Sequence, residues 1–201
     1  MKIIVWNSQD KCVADYHKLI RGCDVLCLLD CGQWTVPVYA LQIQNGLFHW
    51  KDEHEGLSYD IFYCLEKVAF VCRDGLYSGE SVLYSIHSNI GSLIGICLQD
   101  DFWLFAHHEP NLVNAYHIGE FYLREISDHF RKAAFIADFK KKSYSWVQET
   151  VGKLYCIALP EGYYPHTVNY LFTIHVACTD LYLLEGYSET SNQPTFFELD
   201  I

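Results

Sequence analysis

Between Leu41 and His107 the chain breaks into short apolar runs separated by glycine and acidic turn residues. The runs are Leu41 to Phe48, Tyr59 to Leu65, Val68 to Cys72, Ser81 to His87, Leu93 to Leu98 and Phe102 to His107, with Asp74-Gly75 and Asp100-Asp101 among the breaks. Runs this short cannot be long helices, and their punctuation is that of hairpins, so this third of the chain reads as a ladder of antiparallel strands. The flanks differ. Ile3 to Trp6 reads as a strand. Lys11 to Arg21 carries Val13, His17 and Ile20 at helical spacing, and Asp24 to Leu29 is a second, continuously apolar strand. After the ladder, Leu112, Tyr116, Gly119, Leu123, Ile126 and Phe130 are spaced for one face of a long helix, with Pro110-Asn111 at its start and Arg131-Lys132 at its negative end.

Ala133 to Ala137 then reads as a buried strand and Ser143 to Val151 as a short helix. Leu154 to Leu159, Val168 to His175, Leu181 to Glu185 and Phe196 to Leu199 read as further strands. About ten strands with two or three helices imply an α+β fold in which helices cover paired sheets. No repeat, low-complexity tract or linker interrupts the 201 residues, so 1–201 is read as one domain. With 51% apolar and 19% charged residues the chain packs a core and is not a disordered segment.

Charge narrows the function. Fourteen basic against 25 acidic residues give −11 at neutral pH, which opposes nonspecific coating of a polyanion. The nine cysteines are odd in number, contain no C-x-x-C pair, and mostly sit in apolar runs, as Cys23, Cys27, Cys64, Cys72, Cys97 and Cys156 do. They are read as free thiols of a reducing, cytoplasmic setting, with Cys23 and Cys27 in the core. The apolar N-terminal stretch is too short for a signal peptide, and no window reaches the 18 apolar residues a membrane span needs.

Several motifs then fall in a recognisable order. Trp6-Asn7 ends the first strand, Asp24-Val25-Leu26-Cys27-Leu28-Leu29-Asp30 forms the second, and Ile136-Ala137-Asp138-Phe139-Lys140 follows the long helix. This order resembles the endonuclease/exonuclease/phosphatase superfamily, whose motifs are W-N, D-I-x-x-x-Q-E and G-D-F-N. Asp30-Cys31-Gly32, Val71-Cys72-Arg73, Leu93-Ile94-Gly95-Ile96 and Phe105-Ala106-His107 are most similar to its deoxyribonuclease I-like branch, the B subunit of cytolethal distending toxins. Thr167-Val168-Asn169-Tyr170 stands where that family has L-D-Y, and Ser191-Asn192-Gln193 where it has S-D-H.

The resemblance implies a four-layered α-β-β-α sandwich of two mixed, mainly antiparallel sheets with the site at one edge. It implies phosphodiester chemistry in which a carboxylate-held divalent metal polarises the phosphate and an Asp-supported His balances charge. Carried over by position, Asp30, His107, Asp138, Asn169, Asn192 and Gln193 are the catalytic positions. Asn7, Arg73 and Lys140 are the phosphate-binding ones, and Asp30 holds Mg²⁺ if the site is active. Asn7, Asp30, His107, Asp138, Asn169 and Asn192 are therefore expected to converge at one sheet edge.

This sequence departs from the pattern where proton transfer is done. Gln193 replaces a His and Asn192 its supporting Asp, Asn169 replaces another Asp, Lys140 replaces an Asn, and Asp30 replaces the metal-binding Glu. Glutamine cannot exchange a proton near neutral pH, and one lost acid/base group alone costs about 10² to 10⁴ in rate. The shortened Asp30 also fits the strict octahedral demand of Mg²⁺ poorly. Lys140 is expected to reach Asp30 or Asp138 and stand in for the metal.

Local readings compete with these. Asp30 and Asp138 each follow an apolar strand, where Asp commonly caps a turn. His107-His108-Glu109 lacks H-E-x-x-H spacing, Lys140 to Lys142 suits a solvated loop, and the aromatic load suits a core. Three classes of function stay open: a catalytically degenerate scaffold for a protein partner, needing no cofactor; a working Mg²⁺-dependent phosphodiesterase, nuclease or phosphatase; and an anion-binding module built on Lys140, Arg73 and His107. The coincidence of substitutions at the proton-transfer positions favours the first.

Overall fold

The computed structural model describes residues 1–8, 16–32, 36–65, 68–85, 92–108, 126, 128–139, 153–155, 168–184 and 193–201. Residues 85, 92, 138–139, 153–155 and 168–170 are described through their backbone. In chain order the elements begin with β1 (Lys2–Asn7), α1 (Tyr16–Ile20), β2 (Val25–Leu29), β3 (Leu41–Gln44), β4 (Leu47–His54), β5 (Leu57–Cys64) and β6 (Val68–Arg73). They continue with β7 (Tyr77–Ser85), β8 (Ser92–Leu98), β9 (Phe102–His108), β10 (Lys132–Phe139), β11 (Lys153–Tyr155), β12 (Val168–Ile174), β13 (Ala177–Leu183) and β14 (Thr195–Asp200).

The strands form two mixed sheets. One has eight strands in the order β13-β14-β1-β2-β6-β5-β4-β3, and the other six in the order β11-β12-β10-β9-β8-β7. Each contains one parallel pair, β1 with β2 and β9 with β10, and the remaining pairs are antiparallel. Parallel neighbours need a crossover, and α1 provides it between β1 and β2.

Strand alternation builds the layers. Ile3, Val5, Val25, Cys27 and Leu29 face Ile94, Ile96, Leu104, Ala106, Ala134 and Ile136 of the second sheet. The intervening Ile4, Trp6, Leu26 and Leu28 pack against Tyr16, Leu19 and Ile20 of α1. Burial on both faces is why Val25 to Leu29 shows no polar alternation. The outer face of the second sheet buries Trp103, Phe105, Ala133 and Phe135 against Ile126 and Phe130. The amide of Phe130 donates to Ile126 O at 3.0 Å, a helical bond. The rest of the expected helix at Leu112 to Phe130, and the one at Ser143 to Val151, lie outside the described residues.

The ladder is finer than expected, because the run from Leu41 to Phe48 is cut at Asn45-Gly46. Gly46 adopts φ +85°, a left-handed turn conformation that glycine reaches without strain, so β3 and β4 become a hairpin. Cys23 and Cys27 are core groups as expected, and Cys31, Cys64, Cys72 and Cys97 are buried as well, none of the six in a disulfide. Burial pushes the Cys23 thiol up to about 12.

Candidate functional site

The registers carry distant residues to one edge. The parallel β1/β2 pair ends with Asn7 level with Leu29, and β6 begins there with Val68 opposite Leu29. The β1/β14 register places Val5 opposite Thr195, which sets Gln193 level with Asn7. In the second sheet His108 pairs with Asp138, and Asp138 pairs with Asn169. Positions 138 and 169 fall on the alternation of Ala134, Ile136 and Leu171, the face turned toward the first sheet.

One contact joins the two rows. His108 Nε2 lies 3.5 Å from Asp30 Oδ1, with the His108 side chain 8% exposed and that of Asp30 22%. Asp138, one strand from His108, therefore sits at the same end of the sandwich as Asp30, about one strand spacing of 4.8 Å beyond the histidine.

Asp30 reaches this place by its backbone. Strand alternation would send residue 30 to the α1 side with Leu26 and Leu28. Instead Asp30 takes φ +49°, a left-handed turn that ends the strand and brings its carboxylate to the inter-sheet side. The turn is pinned from β1, whose next residue, Ser8, donates its amide to Leu29 O at 3.0 Å and its hydroxyl to Asp30 O at 3.4 Å. Beyond it, the Tyr63 hydroxyl donates to Gly32 O at 3.2 Å.

Two expected positions lie elsewhere. His107 is buried, but it pairs with Leu93 and Ala137, whose side chains pack on the outer face of the second sheet. The imidazole that meets Asp30 is its neighbour His108, which the sequence reading set aside. Arg73 ends β6, which runs antiparallel to β2, so it stands level with Asp24: its amide donates to Asp24 O at 3.0 Å, and its guanidinium donates to Arg21 O at 2.9 Å. The extended chain from Asp24 to Asp30 puts Arg73 roughly 20 Å from the site, at about 3.3 Å per residue. Lys140 and Asn192 lie outside the described residues.

No family model matches the sequence, and no curated protein sequence matches it. Solved structures do match in shape. D. rerio TDP2 complexed with a single-strand DNA product aligns at a TM-score of 0.58 and 12% identity, over 100% of this chain and 99% of that one. An endonuclease/exonuclease/phosphatase from Beutenbergia cavernae aligns at 0.59 and 13%, over 99% of this chain and 71% of that one. The 3'-5' exonuclease NExo from Neisseria meningitidis aligns at 0.54 and 15%, over 100% of both chains. The chain has the endonuclease/exonuclease/phosphatase fold.

The resemblance read from the sequence implies a divalent metal at this edge. A hard cation such as Mg²⁺ takes about six oxygens in near-octahedral array. Among the described residues no group of three or more His, Cys, Asp or Glu side chains is placed to hold a metal, and the Asp30 carboxylate faces an imidazole. What the arrangement does offer is a carboxylate and a ring nitrogen across the mouth of the endonuclease/exonuclease/phosphatase sandwich, with the buried Asn7 level with them.

Proposed function

We propose that this chain is a catalytically degenerate protein of the endonuclease/exonuclease/phosphatase fold whose sandwich serves as a binding scaffold for a protein partner. The His108–Asp30 contact carries the reading. Asp30 stands where the resemblance puts the metal carboxylate, and an imidazole nitrogen at 3.5 Å competes with a cation for it. The sequence adds Gln193 and Asn192 in place of the His and Asp that would move the proton.

A protein partner, and not a nucleic acid, is supported by charge and surface. Matching structures include a DNA-bound TDP2 and an exonuclease, yet this chain carries −11. From Cys31 to Trp50 it has no Asp, Glu, Lys or Arg. That stretch contains β3, an edge strand, and the exposed Val38, Tyr39 and Leu41. Edge strands are normally guarded by charge, and an unguarded one invites another chain.

The test is hydrolysis of plasmid DNA, of a 3'-recessed duplex and of bis(4-nitrophenyl) phosphate with Mg²⁺ or Mn²⁺, beside calorimetric titration of each metal. The expected result is no turnover that Asp30→Asn or Asp138→Ala removes, and no saturable metal binding that depends on Asp30. Turnover lost in both variants would establish an active metal-dependent phosphodiesterase and overturn the reading.

A further inference from the structure

A pocket opens between β3 and β7, edge strands of the two sheets. It has a volume of about 420 Å³ and is walled by Leu41, Ile43, Tyr77 and Trp103, with His49, Glu80 and Ser81 as polar lining. That volume lies in the range of roughly 300 to 1,000 Å³ that takes small molecules. Asp60 is level with Cys72 and Val25, the beginning of β2, so the pocket lies toward the opposite end of the sandwich from Asp30.

The pocket is built at some cost to the fold. His49 Nε2 and Asp60 Oδ1 are 3.0 Å apart, with side chains 20% and 6% exposed, on the inter-sheet face among apolar core residues. Burying such a pair seldom stabilises a core relative to apolar residues. The His49 ring stacks on Phe62 at 4.5 Å, and Tyr77 closes on both rings. In β7 the register jumps from Tyr77 opposite Leu98 to Ser81 opposite Ile96, so residues 78–80 bulge against Cys97 alone. Gly79, at φ +104°, makes this bulge, and the Ser78 hydroxyl anchors it to Cys97 O at 3.0 Å. Bulges re-aim side chains, and this one leaves Glu80 exposed on the pocket rim.

The lining selects a charge. Among the described residues no lysine or arginine lines the pocket. Lys51, opposite Asp60 in register, is turned away to Asp74 at 2.6 Å. The Tyr77 phenol is pushed up chiefly by burial, with the neighbouring Ser81 opposing this and the Asp60 and Glu80 charges adding to it. A carboxylate on the rim and aromatic walls together recognise an ammonium group on an apolar body.

We infer that this pocket binds a small aromatic amine, with Glu80 as counter-charge and Tyr77 and Trp103 as the apolar wall. The full chain is titrated with benzylamine, and in parallel with benzyl alcohol, benzoate and Nα-acetyl-lysine amide, following tryptophan fluorescence and backbone amide shifts. Benzylamine is expected to saturate and to move the amides of His49 and of residues 77–81. Glu80→Gln, an exposed change, is expected to weaken it at least tenfold with an unaltered thermal melt. Benzyl alcohol and benzoate are expected not to saturate, and the lysine amide to bind at least tenfold more weakly. Failure of benzylamine to saturate, equal binding of benzyl alcohol or of the lysine amide, indifference to Glu80→Gln, or shifts mapping elsewhere would each overturn the assignment.

Discussion

His108 Nε2 lies 3.5 Å from Asp30 Oδ1, across the gap between the two sheets at the edge where β1, β2, β9 and β10 end. The separation exceeds a direct hydrogen bond, yet both groups are largely withdrawn from water, so the contact retains electrostatic weight. Leaving a half-buried carboxylate without its imidazole should cost about 1 to 3 kcal/mol, and His108→Leu is expected to lower stability by that amount in urea unfolding. A double-mutant cycle with Asp30→Asn should return a coupling of about 0.5 to 2 kcal/mol. The same cycle between His107→Leu and Asp30→Asn should return a value near zero. Coupling of Asp30 to His107 instead would show that the two histidines exchange faces in solution.

Asp30 also answers to its backbone. At φ +49° an asparagine is tolerated and a β-branched residue is not. Asp30→Val should therefore be less stable than Asp30→Asn by about 1 to 3 kcal/mol, read as a shift in urea midpoint. Equal midpoints would mean that the turn relaxes out of the left-handed region.

Much of the fold was legible because burial leaves a mark. Val25 to Leu29 and Phe102 to Ala106 are apolar at every position, and each proves to be a strand covered on both faces. The same property hides the site. With Phe102, Trp103, Leu104, Phe105 and Ala106 all apolar, nothing local says which parity faces the first sheet, and so His107 and His108 could not be told apart. The outer half of β4, Lys51 to His54, went unread because it is polar and partly exposed. Its register with β5 is set by Glu55 and Gly56, at φ +51° and +76°. Arg73 was misplaced for a different reason: its strand fits the motif order, but strand direction is a property of the whole sheet and carries β6 away from the site.

His17 gives the fold a pH response. Its ring stacks on His54 at a centroid distance of 3.8 Å, and its Nε2 lies 3.7 Å from Asp52, which also accepts the Tyr16 hydroxyl. Burial, first, and the neighbouring His54 and Arg21 charges hold its proton affinity below the usual histidine value, against the pull of Asp52. An unfolded histidine titrates near about 6.5, so the unfolded chain takes up this proton more readily. The stability His17 contributes is thus fully present above about pH 6.5, falls as pH drops through 6.5 toward the lower folded value, and levels off beneath it. His17→Phe, which keeps a ring against His54, should flatten the dependence of unfolding free energy on pH between about 5 and 7. An unchanged slope would remove His17 from the response.

Gly95 is a packing requirement in the middle of β8. It stands opposite Phe105 in register on one side and Val82 on the other. A Cβ at this position would come within 2.4 and 2.6 Å of the Phe105 ring and 2.9 Å of Val82 Cγ1. Phe105 cannot yield easily, since it is fully buried with its ring 5.8 Å from Trp103 and 4.9 Å from Phe130. Elsewhere in a strand, replacing glycine by alanine gains about 0.5 to 1 kcal/mol through reduced unfolded-state freedom. Here overpacking outweighs that gain, and Gly95→Ala should destabilise by about 1 to 3 kcal/mol. Phe105→Leu, which opens room at the ring edge, should rescue part of the loss, so the double variant is more stable than the sum of the single effects by at least about 1 kcal/mol. Strict additivity would mean that the added methyl is taken up by a movement of β7 at Val82, and Val82→Ala would then be the variant that rescues.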